Sequence, residues 1–207
     1  MIVSKAYIDQ HLGELVEGGD PKCIQQANYD LRVGDEIYLS EEKLPTRLSH
    51  EEPHVLIPPG QFAIVKTLEQ VKMPCDMIGL ISIRNKYKLQ GLVNVSGFHV
   101  DPTYSGHLLF AVQNVGPNDI RLEYKAPTFM ILWAKIEPSY GGEARKTGYD
   151  RIPLDFMAQL GGSSITLAAM RKEIDSLSVT VKVLLGLAGS ALIGVFLLLL
   201  RATAGGK

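Results

Sequence analysis

Surplus basic charge, cysteine and an apolar N-terminus are what this 207-residue sequence lacks most. Its 21 Lys and Arg face 22 Asp and Glu, a net charge of −1, which leaves no whole-chain electrostatic footprint for nucleic acid. The two cysteines, Cys23 and Cys75, stand far apart without metal-type spacing and read as free thiols in a reducing compartment. The first residues, MIVSKAYIDQHLGEL, contain no long apolar run, so no secretory signal is read there. A zinc-peptidase string is present in letters only. His50-Glu51-Glu52-Pro53-His54 matches H-E-x-x-H, but that chemistry needs both histidines on one face of a continuous helix, and Pro53 disfavours helix at Glu52. His99 and His107 have no ligand-spaced partner, so no protein-bound metal is expected.

The C-terminus is the opposite case. Val183 to Leu200, VLLGLAGSALIGVFLLLL, is 18 residues without a charge. As a helix it would be roughly 27 Å long, close to the thickness of a bilayer's hydrocarbon core. Lys182 and Arg201 bracket it and can snorkel to the interfaces. This predicts a single-pass, tail-anchored membrane protein. Arg171, Lys172 and Lys182 before the span, against Arg201 and Lys207 after it, favour an N-terminal domain on the cytoplasmic side. Ser163 and Ser164 are candidate caps for a helix from Ile165. Leu167, Met170, Ile174, Leu177, Val181, Leu184, Ala188, Ala191, Val195 and Leu198 then follow heptad spacing. Gly186, Ser190 and Gly194 add a small-residue face within the span. A self-associating stalk is expected.

Ahead of that anchor, a helix is predicted over Ser4 to Val16, capped by Ser4 and stopped at Gly18-Gly19. A strand over Gln26 to Leu39 is broken by Gly34-Asp35, and Glu41 to Pro53 reads as a surface loop. Val55 to Ile136 is a series of short apolar runs separated by turn signals, which suggests a mainly β, jelly-roll-like domain. The most informative stretch is Ile81 to Gly106, ISIRNKYKLQGLVNVSGFHVDPTYSG: a strand, a basic turn, a second strand, then a hairpin. Leu92, Asn94 and Ser96 alternate with Val93 and Val95 as in a half-buried strand. Asp101 stands where alternation stops, a position from which a carboxylate can orient a water or a sugar hydroxyl. The expected layout is a β domain over 1–139, a linker or docking arm over 140–162, a helical stalk over 163–182, a transmembrane helix over 183–200 and a tail over 201–207.

The order Ala27-Asn28-Tyr29-Asp30-Leu31, then Arg84, then Asp101-Pro-Thr-Tyr104-Ser-Gly106 resembles the dCTP deaminase/dUTPase superfamily over roughly Met1 to Ser139. Pro59-Gly60, Val65 to Glu69, Pro74 to Leu80, Gly91-Leu92 and the block from Val95 to Gly106 resemble its dCTP deaminase branch. The resemblance implies a distorted jelly-roll homotrimer with sites between subunits, binding a deoxynucleotide triphosphate with Mg²⁺ on its phosphates. It also implies that Asp101 orients water and that Tyr104 packs beneath the deoxyribose. Arg84, Asn85, Lys86, Lys88, Gly97, Phe98 and His99 complete the substrate-binding set.

Departures from the family pattern bear on activity. The deaminase glutamate that shuttles protons falls on Ala111, an arginine of the pattern falls on His99, and the phosphate-binding Arg-Ser-Ser turn reads Arg84-Asn85-Lys86. Alanine transfers no proton, and general acid/base catalysis is worth about 10²- to 10⁴-fold. The expectation is a membrane-anchored nucleotide-binding protein, weak or inactive as a deaminase and acting as a sensor or effector. A dUTP pyrophosphatase using Asp101, a dCTP deaminase and a trimeric scaffold without a nucleotide site are the alternatives. Asp30 is expected to be structural, paired with Arg32 or a neighbouring subunit.

Overall fold

The computed structural model describes residues 1–141, 148–161 and 167–204. The chain divides into two units, Met1–Ser164 and Ile165–Lys207.

The first unit opens with two short helices, α1 (Lys5–Gln10) and α2 (Leu12–Leu15), rather than the single helix predicted. They part at His11, whose ring stacks on Tyr7 with 4.2 Å between centroids. Ser4 holds the N-cap position of α1, but its side chain makes no capping bond. Val16 does not extend the helix. With Glu17 it forms β1 (Val16–Glu17), paired with Val71 and Gln70, because burying Val16 in the sheet outweighs one more helical residue.

The strands that follow are β2 (Tyr29–Leu39), β3 (Thr46–Arg47), β4 (His54–Ile57), β5 (Phe62–Lys72) and β6 (Met77–Ile83). After helix α3 (Asn85–Lys88) come β7 (Leu92–Asn94), β8 (His99–Val100), β9 (Ser105–Asn114), β10 (Ile120–Glu123) and β11 (Pro127–Lys135). All pairings are antiparallel. The main sheet runs β7-β9-β5-β2-β11-β6-β8, while β10 and β4 pair separately.

Strand β2 joins the two halves of the sheet. Its first residues pair with β11 and its last with β5. The predicted break at Gly34-Asp35 is instead a register shift between Val33 and Ile37 within one continuous strand. Gly34 is required there, because a Cβ would meet the Lys66 and Thr67 carbonyls at 2.8 Å. The sheet curls on itself. Phe110 of β9 and Phe129 of β11, separated in sheet order by β5 and β2, stack with 3.9 Å between ring centroids. Trp133, Tyr29 and Met77 are fully buried in the same core. Glu69 of β5 clamps β2 by accepting from the Tyr29 hydroxyl (3.2 Å), the Arg32 amide (2.9 Å) and Arg32 Nε (2.6 Å).

His50–His54 is not helical. Ser49 Oγ accepts from the Glu51 and Glu52 amides in a turn that leads into β4. On β9, Gly106, Leu108, Phe110, Val112 and Asn114 point inward, leaving His107, Leu109, Ala111 and Gln113 on the outer face.

The second unit contains α5 (Leu167–Ala204), 38 residues or about 57 Å long. The stretch Glu173–Gly194, with mean hydropathy 1.8, is long and apolar enough to cross a membrane. That stretch starts before the predicted Val183. Ser163, Ser164 and Ile165, the predicted helix start, lie outside the described residues. Met170, Ile174, Leu177, Val181 and Leu184 of the heptad are all exposed within this unit. Ser190 donates to the Gly186 and Leu187 carbonyls, each at 2.9 Å, so its hydroxyl is satisfied by its own helix.

Candidate functional site

Strand β8 pairs its Val100 with Gly79 and its His99 with Leu80 of β6, which delivers Asp101 to the end of the sheet. There Pro102 and Thr103, at φ +64, reverse the chain, and the Tyr104 amide returns to the Asp101 carbonyl at 3.3 Å. His99 Nε2 lies 3.3 Å from Asp101 Oδ1. Both line a cavity of about 290 Å³ with Gly97, Tyr104 and Ser96. The Tyr104 phenol is pushed up to about 12 by burial and by neighbouring Tyr149. It stays neutral and donates to the His107 carbonyl. Only the ring of Tyr104 is therefore available to pack against a ligand.

The basic residues occupy a different place. The expected basic turn is the single-turn helix α3, and Arg84, Asn85 and Lys86 line a second cavity of about 330 Å³ with Asp30, Asn28 and Gln25. Arg84 Nε pairs with Asp30 Oδ2 at 3.2 Å, and its Nη1 donates to the Pro127 carbonyl at 3.1 Å. Asp30 thus pairs with Arg84 and not with Arg32, which is held by Glu69 across the β2–β5 pair. Burial raises the Asp30 carboxyl above its ordinary range, against the lowering pull of Arg84 and of the Asn28 and Gln25 amides. Lys88 and Phe98 line neither cavity. Phe98 is 69% exposed, as are Val95 at 54% and Val93 at 38%.

The sequence-predicted residues therefore fall into two groups within one chain. His99, Asp101, Tyr104 and Gly97 come together, and Arg84, Asn85 and Lys86 come together elsewhere.

Residues unmarked by the sequence reading close the first cavity. Gly148 to Leu160 returns over the outer face of β9, ending in α4 (Leu154–Leu160). Gly148 donates to the Ser105 carbonyl, and Tyr149 bridges His107. Tyr149 and Phe156 meet edge to face at 5.4 Å and line the Asp101 cavity. A second cavity wall runs beside it. Phe156 and Leu160 face Ile64, Leu109 and Ala111 across about 280 Å³ of mainly apolar space that shares Ser96 with the first cavity. The outer face of β9 is therefore apolar at Ala111. The one local signal for this segment was Pro153 followed by apolar residues at 154, 156, 157 and 160, the pattern of a short amphipathic helix.

Among the described residues, no cluster of three or more His, Cys, Asp or Glu gathers in metal-ligating geometry.

A curled antiparallel sheet with a polar cavity at the end of its β8 hairpin defines the class of protein. The dCTP deaminase-like family matches residues 2–127, more than half of the chain, and the chain belongs to that family. Among curated relatives, a dCTP deaminase from Pyrococcus abyssi is 31% identical over 123 residues, spanning 59% of this chain and 77% of the relative. A dCTP deaminase from Pyrobaculum neutrophilum is 36% identical over 139 residues, spanning 61% and 78%. The fold is shared with the 2'-deoxycytidine 5'-triphosphate deaminase of Agrobacterium tumefaciens. That match has a TM-score of 0.53 at 16% identity and covers 64% of this chain and 48% of that one.

Proposed function

We propose that this protein is a membrane-anchored, trimeric member of its family that binds a deoxynucleotide at the Asp101 cavity without deaminating it. The observation that carries the reading is the pairing of a polar cavity around His99 and Asp101 with an apolar surround at Ala111. A ligand can be oriented by Asp101, while no carboxylate projects from β9 where the resemblance expects the proton-shuttling glutamate. Tyr104 offers a ring face to a sugar, and Gly97 and Phe98 flank the entrance.

Arg84, Asn85, Lys86 and Lys88 are proposed to meet the phosphates across a subunit boundary, since one chain keeps them in a separate cavity. Assembly of three copies also covers Val93, Val95 and Phe98, an apolar exposed face that a second copy would bury. Mg²⁺ is expected to arrive on the triphosphate. The layout proposed is a nucleotide domain over 1–139, an arm over 140–162, a stalk over 163–182, a span over 183–200 and a short tail, with the domain on the cytoplasmic side. α5 supports the anchor by its length and apolar character.

A second reading is favoured by the His99–Asp101 pair: Asp101 could orient water for dUTP hydrolysis. One experiment separates the two. The purified chain in detergent is incubated with Mg²⁺ and either dCTP or dUTP, products are separated chromatographically, and binding is titrated in parallel. Binding without turnover is expected. Release of dUMP and pyrophosphate would establish the hydrolase reading, dUTP formed from dCTP would overturn the assignment at Ala111, and failure to bind either nucleotide would sink both readings.

A further inference from the structure

The segment over β9 is docked by buried polar groups of the barrel, not by apolar contact alone. Glu36, 7% exposed, accepts from the Ile152 amide at 2.9 Å. Lys66, also 7% exposed, donates to the Asp150 carbonyl at 3.0 Å while pairing with Asp35 at 2.8 Å. The Tyr38 hydroxyl donates to the Met157 carbonyl at 3.2 Å. Three side chains on neighbouring strands thus have the segment's backbone as their partner, and each would be left buried and unsatisfied if it were not there. Two glycines let it cross β9. A Cβ on Gly106 would meet Gly148 Cα at 2.6 Å, and a Cβ on Gly148 would meet Gly106 Cα at 2.9 Å. Ile152 and Met157 then seat against Tyr38 and Ile64.

We propose that residues 148–160 form a strap, contributed in cis, that is part of the ligand site: Tyr149 and Phe156 contact the molecule held at Asp101. Strap docking and ligand binding therefore reinforce one another. The inference rests on the reading that the Asp101 cavity is the nucleotide site. The cavity persists with the strap in place, so the strap lines the ligand's position and does not fill it. A ligand touching both barrel and strap binds the docked state alone, and linkage requires it to suppress undocking by the same factor by which undocking weakens binding.

The test uses the full chain in detergent micelles, with hydrogen exchange of the strap peptide followed with and without dUTP and Mg²⁺. In the free protein the strap amides are expected to exchange before those of β5 and β9. Bound dUTP is expected to slow them by about tenfold or more, the scale of one hydrogen bond to a charged group. Glu36→Gln should speed strap exchange and weaken dUTP binding by a matching factor, as should Tyr38→Phe if the first variant fails to fold. Leu154→Ala, on the exposed side of α4, should change neither. Bound dUTP with unchanged strap exchange would overturn the inference and leave the nucleotide reading standing. Strap and β9 amides that exchange together would overturn it whether or not dUTP binds. No binding, with a strap that still opens alone and is loosened by Glu36→Gln, would sink the nucleotide reading while supporting a strap over a cavity for another ligand.

Discussion

The two ends of the Ile81–Gly106 stretch carry charge in opposite ways. At the Arg84 end, the guanidinium holds a buried carboxylate, Asp30, and a backbone carbonyl, so its first task is to satisfy the barrel. At the Asp101 end, the carboxylate lies beside His99 on a cavity wall, and little of the core depends on it. A charged residue in a family motif can thus serve the fold or the ligand, and what decides is whether its partner is buried.

Replacing the two residues should separate those roles. Arg84→Ala leaves Asp30 buried without its cation and is expected to cost about 2–3 kcal/mol of stability, at the lower end for a broken buried pair because Arg84 is partly exposed. Urea denaturation checks this, and an unmoved midpoint would erase the contrast. Asp101→Asn should leave that midpoint unchanged. It should weaken dUTP binding by about ten- to a hundredfold, equivalent to a hydrogen bond to a charged acceptor, read by calorimetric titration. A smaller change, about 1 kcal/mol confined to strap opening, is expected for Tyr38→Phe, with the Met157 amide reporting it in hydrogen exchange.

The smallest effect is in pH, and it takes opposite signs at two aspartates. For Asp35, burial would raise the carboxyl, but the hydrogen bond and charge of Lys66 outweigh this and leave it below the ordinary range. Its contribution is present above the unfolded value of about 3.9 and is lost as pH falls through the lower folded value. Strap protection should therefore hold from neutral pH to about 5 and decline below about 4. Asp30, raised mainly by burial, contributes most below about 3.9 and less as pH rises through its folded value. Exchange profiles of the strap and of the β2 amides should accordingly slope in opposite directions over that acid range.

Much of the barrel was legible before any coordinates. Alternation in the runs from Val55 to Ile136 marked the strands, and Asp101-Pro102 marked the hairpin that carries the cavity. The misread elements share one cause. Val16 and Gly34-Asp35 look like a helix end and a strand break locally, yet both belong to strands because β5 supplies partners from more than 30 residues away. Asp30 looked suited to Arg32, two residues along the same strand. Residues two apart on a strand share a face, but Arg32 turns to Glu69, and Arg84 reaches Asp30 from the end of β6.

By itself the sequence determined the family, the mainly β class, the apolar C-terminal helix and the absence of a carboxylate at position 111, because periodicity, hydropathy and motif order are written along the chain. Tertiary structure alone decided that the basic residues and Asp101 occupy separate cavities, and that Tyr149 and Phe156 wall one of them. Those facts depend on side chains brought together across the sheet. Glu36 meets Ile152 and Tyr38 meets Met157 over more than a hundred residues of intervening chain, a separation at which no local pattern records the contact.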